Sequence, residues 1–142
     1  MKKSELFGYL VELDLEATQK WYSHAAAWGC SCGHCQNFLA HAKSDTLPAW
    51  VTTVLGELKI PPEKATYVSE LYTDEAGIHY QFSYRIAGMI LAEPEQEKTT
   101  NARCCHEPYP YGAPNFPMPH FDLEFWITLP WLPDKEPSKT DD

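Results

Sequence analysis

Three thiols lie within six residues of this chain, at Cys30, Cys32 and Cys35, and Cys104-Cys105-His106 brings further soft ligands about seventy positions later. Zinc takes four tetrahedral ligands drawn from thiolate and imidazole, and two cysteines separated by two residues form its commonest knuckle. Cys32-Gly33-His34-Cys35 has that spacing, with Gly33 free to take a left-handed turn conformation. Cys35 would stand at a helix N-terminus, where the helix dipole favours a thiolate. In an extended segment neighbouring side chains point to opposite sides, so Cys104 and His106 share one side. The spacing therefore predicts a zinc site built from Cys32, Cys35, Cys104 and His106, with Cys30 as the substitute for one of the downstream pair. Such a site would fasten the downstream loop to the front half of the molecule.

Rival chemistries use the same residues. Free cysteines also pack as small hydrophobes, although three in six residues is dense for that role. Cys-x-x-Cys at a helix start can do redox work through a lowered thiol pKa. A thioredoxin-like arrangement would place the motif directly after the first strand of a βαβ unit, whereas a helix-like segment intervenes here. An iron–sulfur cluster needs a similar set of thiolates. The five cysteines are an odd number, which argues against a complete disulfide framework.

Other polar groups are weaker candidates. His120, Asp122 and Glu124 alternate along the last apolar run, and such a trio can bind a harder metal or work as base and acid. Opposite a wholly apolar face they are expected to be the solvated side of a strand. His79 and Arg85 are expected to behave likewise. His24, His34 and His41 have no ligand spacing and are expected on the surface, with His34 behind the thiol ligands rather than among them. Tyr109, Tyr111, Phe116 and Trp126 are aromatics that would cover the core or line a pocket. The chain has no glycine-rich phosphate loop, nucleophile elbow or dinucleotide fingerprint.

The elements that must position these groups follow from periodicity. Phe7, Tyr9, Val11, Leu13 and Leu15 alternate with polar residues as in a half-buried strand. Asp14 is placed to cap a helix running to about Trp28, where Gly29 would end it. A second helix is expected from about Cys35, with Phe38, Leu39 and Ala42 inward. Thr46-Leu47-Pro48 opens a third, with Val51, Val54, Leu55 and Leu58 as its buried stripe. Tyr67 to Tyr72 and Ile78 to Ile86 read as a hairpin around residues 73–77. Residues 92–119, with half of the twelve prolines, read as a long loop, acidic at first and then apolar enough to pack down. A final strand carries Phe121, Leu123, Phe125, Ile127 and Leu129 inward. The result is an α+β fold with a mainly antiparallel sheet of about four strands, covered on one face by about three helices. One domain is expected over residues 1–133, followed by a disordered acidic tail over 134–142.

Composition narrows the partners. A chain of 142 residues can bury about two-thirds of its unfolded surface, so its core needs no metal to fold. The net charge of −9 and the absence of any basic run disfavour nucleic acid, whose affinity comes mainly from Lys and Arg. The first residues lack the apolar core and small-residue cleavage site of a signal peptide, and no stretch has membrane-span length. A cytosolic protein that binds no membrane is expected.

The run Trp28-Gly29-Cys30-Ser31-Cys32-Gly33-His34-Cys35-Gln36-Asn37-Phe38, with Cys104-Cys105-His106-Glu107-Pro108 and the segment from Pro119 to Trp126, resembles a group of small uncharacterised bacterial proteins. The resemblance covers most of the chain. It implies a bacterial cytosolic origin and carries no activity. The sequence thus predicts a small domain with a structural zinc site that acts by binding a protein or small ligand. The competing reading is a thiol- or metal-dependent enzyme, a redox catalyst or a hydrolase.

Overall fold

Alternation of Ile78, Tyr80, Phe82, Tyr84 and Ile86 with polar residues produces the central strand of the fold, in a computed structural model that describes residues 1–106 and 111–133. Those five side chains are at most 1 % exposed. The strands are β1 (Lys2–Leu6), β2 (Tyr9–Leu13), β3 (Tyr67–Asp74), β4 (Gly77–Ala92), β5 (Ala102–Cys105) and β6 (His120–Leu129). The helices are α1 (Leu15–His24), α2 (Gly33–Lys43) and α3 (Ala49–Leu58), with a 3-10 turn over Pro62–Lys64. All strand pairs are antiparallel, in the order β1-β2-β4-β6-β5, and β3 pairs with β4. The fold is therefore α+β, with six strands among the described residues rather than about four.

Both additional strands have a physical reason for escaping the apolar pattern. β1 is an edge strand whose residues are mostly exposed, so it carries Lys2, Lys3 and Glu5 instead of alternating hydrophobes. It joins β2 through Phe7 and Gly8, whose φ values of 51° and 91° make the two-residue turn that suits strand twist. Phe7 is thus a turn residue and not part of a strand. Its ring still reaches the core, edge-on to Phe125 at 5.9 Å. β5 lies inside the expected 92–119 loop and buries only Ala102 and Cys104, residues too small to announce a strand.

β4 is 16 residues long, continuing past Ile86 to pair with β2. The passage is made at Gly88, where φ is +140° and a side chain would run into the Glu12 carbonyl. Phe38 of α2 packs on Tyr80 and Phe82 at 5.9 and 4.9 Å, and Trp50 of α3 packs on Phe125 at 5.8 Å. α1 is held to β4 by side chains: Tyr22 donates to the Arg85 carbonyl at 2.8 Å, and Thr18 accepts from the Ala87 amide at 3.0 Å. Residues 111–119 pack on α1, where Trp21 donates to the Pro114 carbonyl at 3.1 Å and its ring lies tilted against Phe116. Gly112 lies against the Thr66 carbonyl so closely that no Cβ fits.

The opposite face corrects the solvated reading. Asp122 and Glu124 are 2 % and 6 % exposed, and Arg85 is 3 % exposed. Arg85 Nε meets Asp122 Oδ1 at 2.6 Å, while Glu124 accepts from Gln81 at 2.6 Å and from Arg103 at 3.3 Å. Buried charges survive only when paired, which is what this row accomplishes. His79, as expected of a polar-face residue, remains partly exposed beside Asp74 at 2.9 Å. The acidic tail at 134–142 falls outside the described residues, as does Tyr109. Among the described residues, no helix is long and apolar enough to cross a membrane.

Candidate metal centre

The thiol group is assembled by the end of one helix and the start of the next. Asp14 caps α1 as expected, accepting from Ala17 N at 3.0 Å. The helix stops at His24, four residues before Trp28, because its last carbonyls find other donors. Lys64 Nζ donates to the Tyr22 carbonyl at 2.7 Å, a cation at a helix C-terminus. Ala25 is already extended, and Trp28 N donates to the Glu63 carbonyl at 3.0 Å. Residues 25–31 are thereby drawn out between the two helices and deliver Cys30.

α2 then begins at Gly33 with Cys32 as its N-cap, two residues earlier than the sequence pattern suggested. The Cys32 sulfur accepts from Cys35 N at 3.5 Å. Gln36 Nε2 donates to the Cys30 carbonyl at 3.2 Å, holding the approach segment against the helix. The Sγ atoms of Cys30, Cys32 and Cys35 all lie within 4.8 Å of one another. Two of them, Cys30 and Cys32, are 3.3 Å apart. Three thiolates bound to one zinc at about 2.3 Å would stand about 3.8 Å apart, so the spread suits a single soft ion.

The three thiols differ in environment. Cys35 is buried, Cys30 is half-buried and Cys32 is exposed. Burial pushes the Cys35 thiol up to about 12, against a lowering hydrogen bond from the Trp28 indole, whose Nε1 lies 3.2 Å from the sulfur. The Cys30 thiol is lowered, first by the Cys32 backbone amide and then by hydrogen bonds from Cys35 and Cys32. Trp28 was missed as a partner of the site because it fitted an apolar helix stripe. Its position two residues before Cys30 was the available signal, since an indole N–H only donates and seeks an acceptor.

Cys104 and His106 do not join this group. Cys104 registers with Leu123 on β6 and faces the core, where burial pushes its thiol up to about 12. α2 begins elsewhere on the sheet: the His34 carbonyl accepts from Tyr80 OH at 2.6 Å, and Tyr80 registers with Ile127. Ile127 and Leu123 are about 13 Å apart along β6. His106 is exposed and lies 3.9 Å from Glu93. An ion held by the three thiols would therefore bear on the α1–α2 connection, whereas the proline-rich loop is held by Trp21, Phe116 and Gly112.

The remaining histidines divide. His41 is 2 % exposed rather than a surface residue; its Nε2 meets the Pro130 carbonyl at 2.9 Å and its Nδ1 meets Thr46 Oγ1 at 2.8 Å. His34 packs on Trp131 with ring centroids 5.4 Å apart, beside the thiols but outside their group. His120 sits edge-on to Phe116, and desolvation, followed by the charge of Arg85, lowers its pKa. No family model matches the chain, and no curated protein or solved structure matches it at a significant level.

Proposed function

We propose that this protein binds one thiophilic metal ion, zinc foremost, through the thiolates of Cys30, Cys32 and Cys35. The observation that carries the reading is the convergence of three sulfur atoms on one ion-sized space, from a loop, a helix cap and the first turn of the helix. Three protein ligands leave one tetrahedral position for water or an incoming ligand, beside the exposed Cys32. The ion would order residues 28–35 and present that position to a protein or small-molecule partner. An odd number of cysteines, five, suits a reducing compartment such as the cytosol. A four-iron cluster is less well served, because it takes four thiolates.

One observation favours a second reading, a dithiol redox site. Cys30 and Cys32 are 3.3 Å apart, and the Cys30 thiol is lowered while the buried Cys35 thiol is raised. Such asymmetry divides an attacking thiolate from a protected thiol.

Both readings meet one experiment: anaerobic purification without added metal, followed by elemental analysis and counting of reactive thiols. Metal binding predicts one zinc per chain, lost in Cys32→Ser and Cys35→Ser and retained in Cys104→Ser and His106→Ala. A metal-free protein that refuses zinc and cobalt, yet forms a Cys30 disulfide within the cluster when oxidised by glutathione disulfide and regains the thiols with dithiothreitol, would establish the redox reading instead.

A further inference from the structure

Beside the thiol group, between α1 and residues 111–117, the surface opens into a cleft of about 900 Å³. Its size falls in the range of small-molecule sites, about 300–1,000 Å³. The walls are largely apolar: Trp21, Trp28, the alanines of residues 25–27 and Pro114. Cations punctuate them. Lys20 and Lys64 both line the cleft, and no Asp or Glu among the described residues does. In a chain with 20 acidic and 11 basic side chains, a cleft that gathers two lysines and no carboxylate is set apart from the rest of the molecule.

Lys64 is not a loose surface cation. Its ammonium is tethered at 2.7 Å to the Tyr22 carbonyl, at the C-terminal end of α1. Lys20 lies on the same helix and is exposed. The far wall is equally fixed, since Trp21 Nε1 is bound to the Pro114 carbonyl and Gly112 is wedged against Thr66. An apolar cleft with one anchored and one exposed cation matches a particular shape of ligand.

We propose that this cleft binds an amphipathic small-molecule anion, a compound with an aromatic or aliphatic body and a single carboxylate or sulfonate head. The body lies between Trp21 and Trp28, and the head is held by Lys20 and Lys64. None of its cations belongs to the thiol group, and it is tested on the protein as purified.

The test compares two dyes of nearly equal apolar body: anionic anilinonaphthalene sulfonate and its uncharged parent, phenylnaphthylamine. Binding is followed by dye emission and by energy transfer from tryptophan. The expected result is one saturable site, with the anion bound at least about fivefold tighter and weakened by salt. Lys20→Glu should weaken the anion about tenfold or more and leave the uncharged dye within about twofold. Lys59→Glu, at a position outside the cleft, should change neither. Decanoate should displace the anionic dye at concentrations where decanol does not. A second variant, Ala26→Trp, fills the cleft from an exposed position outside helix and strand and should abolish binding of both dyes while the circular dichroism stays unchanged. Equal affinity for the two dyes, indifference to Lys20→Glu, displacement by decanol as readily as by decanoate, or full binding to the folded Ala26→Trp protein would each overturn the proposal.

Discussion

The indole N–H of Trp28 donates to the sulfur of Cys35 at 3.2 Å, a hydrogen bond that reaches the buried thiol from outside the cysteine group. A donor to a ligand sulfur favours its thiolate form, and partners of this kind commonly affect metal affinity by about tenfold or more. Trp28→Phe keeps the apolar ring and removes the donor. The expected outcome is about tenfold weaker zinc retention in competition with a chromophoric chelator, with stoichiometry still one. Unchanged affinity would show that the indole only packs.

Arg85 and Asp122 are buried together, 2.6 Å apart, on the face that the alternation alone assigned to solvent. Removing one member leaves a buried charge, at a cost of about 3–5 kcal/mol. Asp122→Ala should lower the urea midpoint accordingly. The double variant Arg85→Met with Asp122→Leu should recover much of the loss. A single variant as stable as the parent protein would place this pair in water.

Alkali should loosen the fold before it reaches the strongest bases. Burial pushes the Cys104 thiol from 9.0 to about 12 and the Tyr80 phenol from 10.0 to about 12. Between those values the unfolded chain has released protons that the folded chain still holds. Stability therefore falls as pH rises from 9.0 toward about 12, with no loss from these groups below 9.0. Urea unfolding across that window should show the decline, and Cys104→Ala should show a shallower one. Parallel pH dependences for the two proteins would remove Cys104 from the effect.

Asn37, wholly buried on α2, donates to the Pro130 carbonyl at 3.1 Å and accepts from Leu132 N at 2.8 Å. Asn37→Leu would strand the Leu132 amide, since the Pro130 carbonyl keeps His41 Nε2, at a cost of about 1–3 kcal/mol where it stays buried. Amide exchange at Leu132 should accelerate while the amides of β4 and β6 remain protected. Equal protection at Leu132 would mean another acceptor serves it.

How far the chain could be read from its residues depended on which physical signal each element carried. β4 and β6 were legible because a wholly apolar face leaves a period-two trace, as in Ile78 to Ile86. α1 was legible at its start, where Asp14 caps it, and illegible at its end, where a distant Lys64 takes over the Tyr22 carbonyl. The three upstream thiols were legible by spacing. Their distance from Cys104 and His106 was not, because strand register decides it and local alternation cannot. Asp122 and Glu124 looked solvated for a similar reason: nothing in their own segment reveals Arg85, Gln81 and Arg103 across the sheet.

The two bonds of Asn37 and the contact of His41 Nε2 with the Pro130 carbonyl bolt α2 to the exit of β6 at two successive turns. A helix pinned this way cannot slide or rotate when its first turn acquires or releases a charge. Any recoil from events at Cys32 and Cys35 must pass the other way, into the extended span from Ala25 to Ser31. Residues 25–29 of that span are also a wall of the cleft, so a change in charge at the thiols would reach the cleft before it reached the sheet.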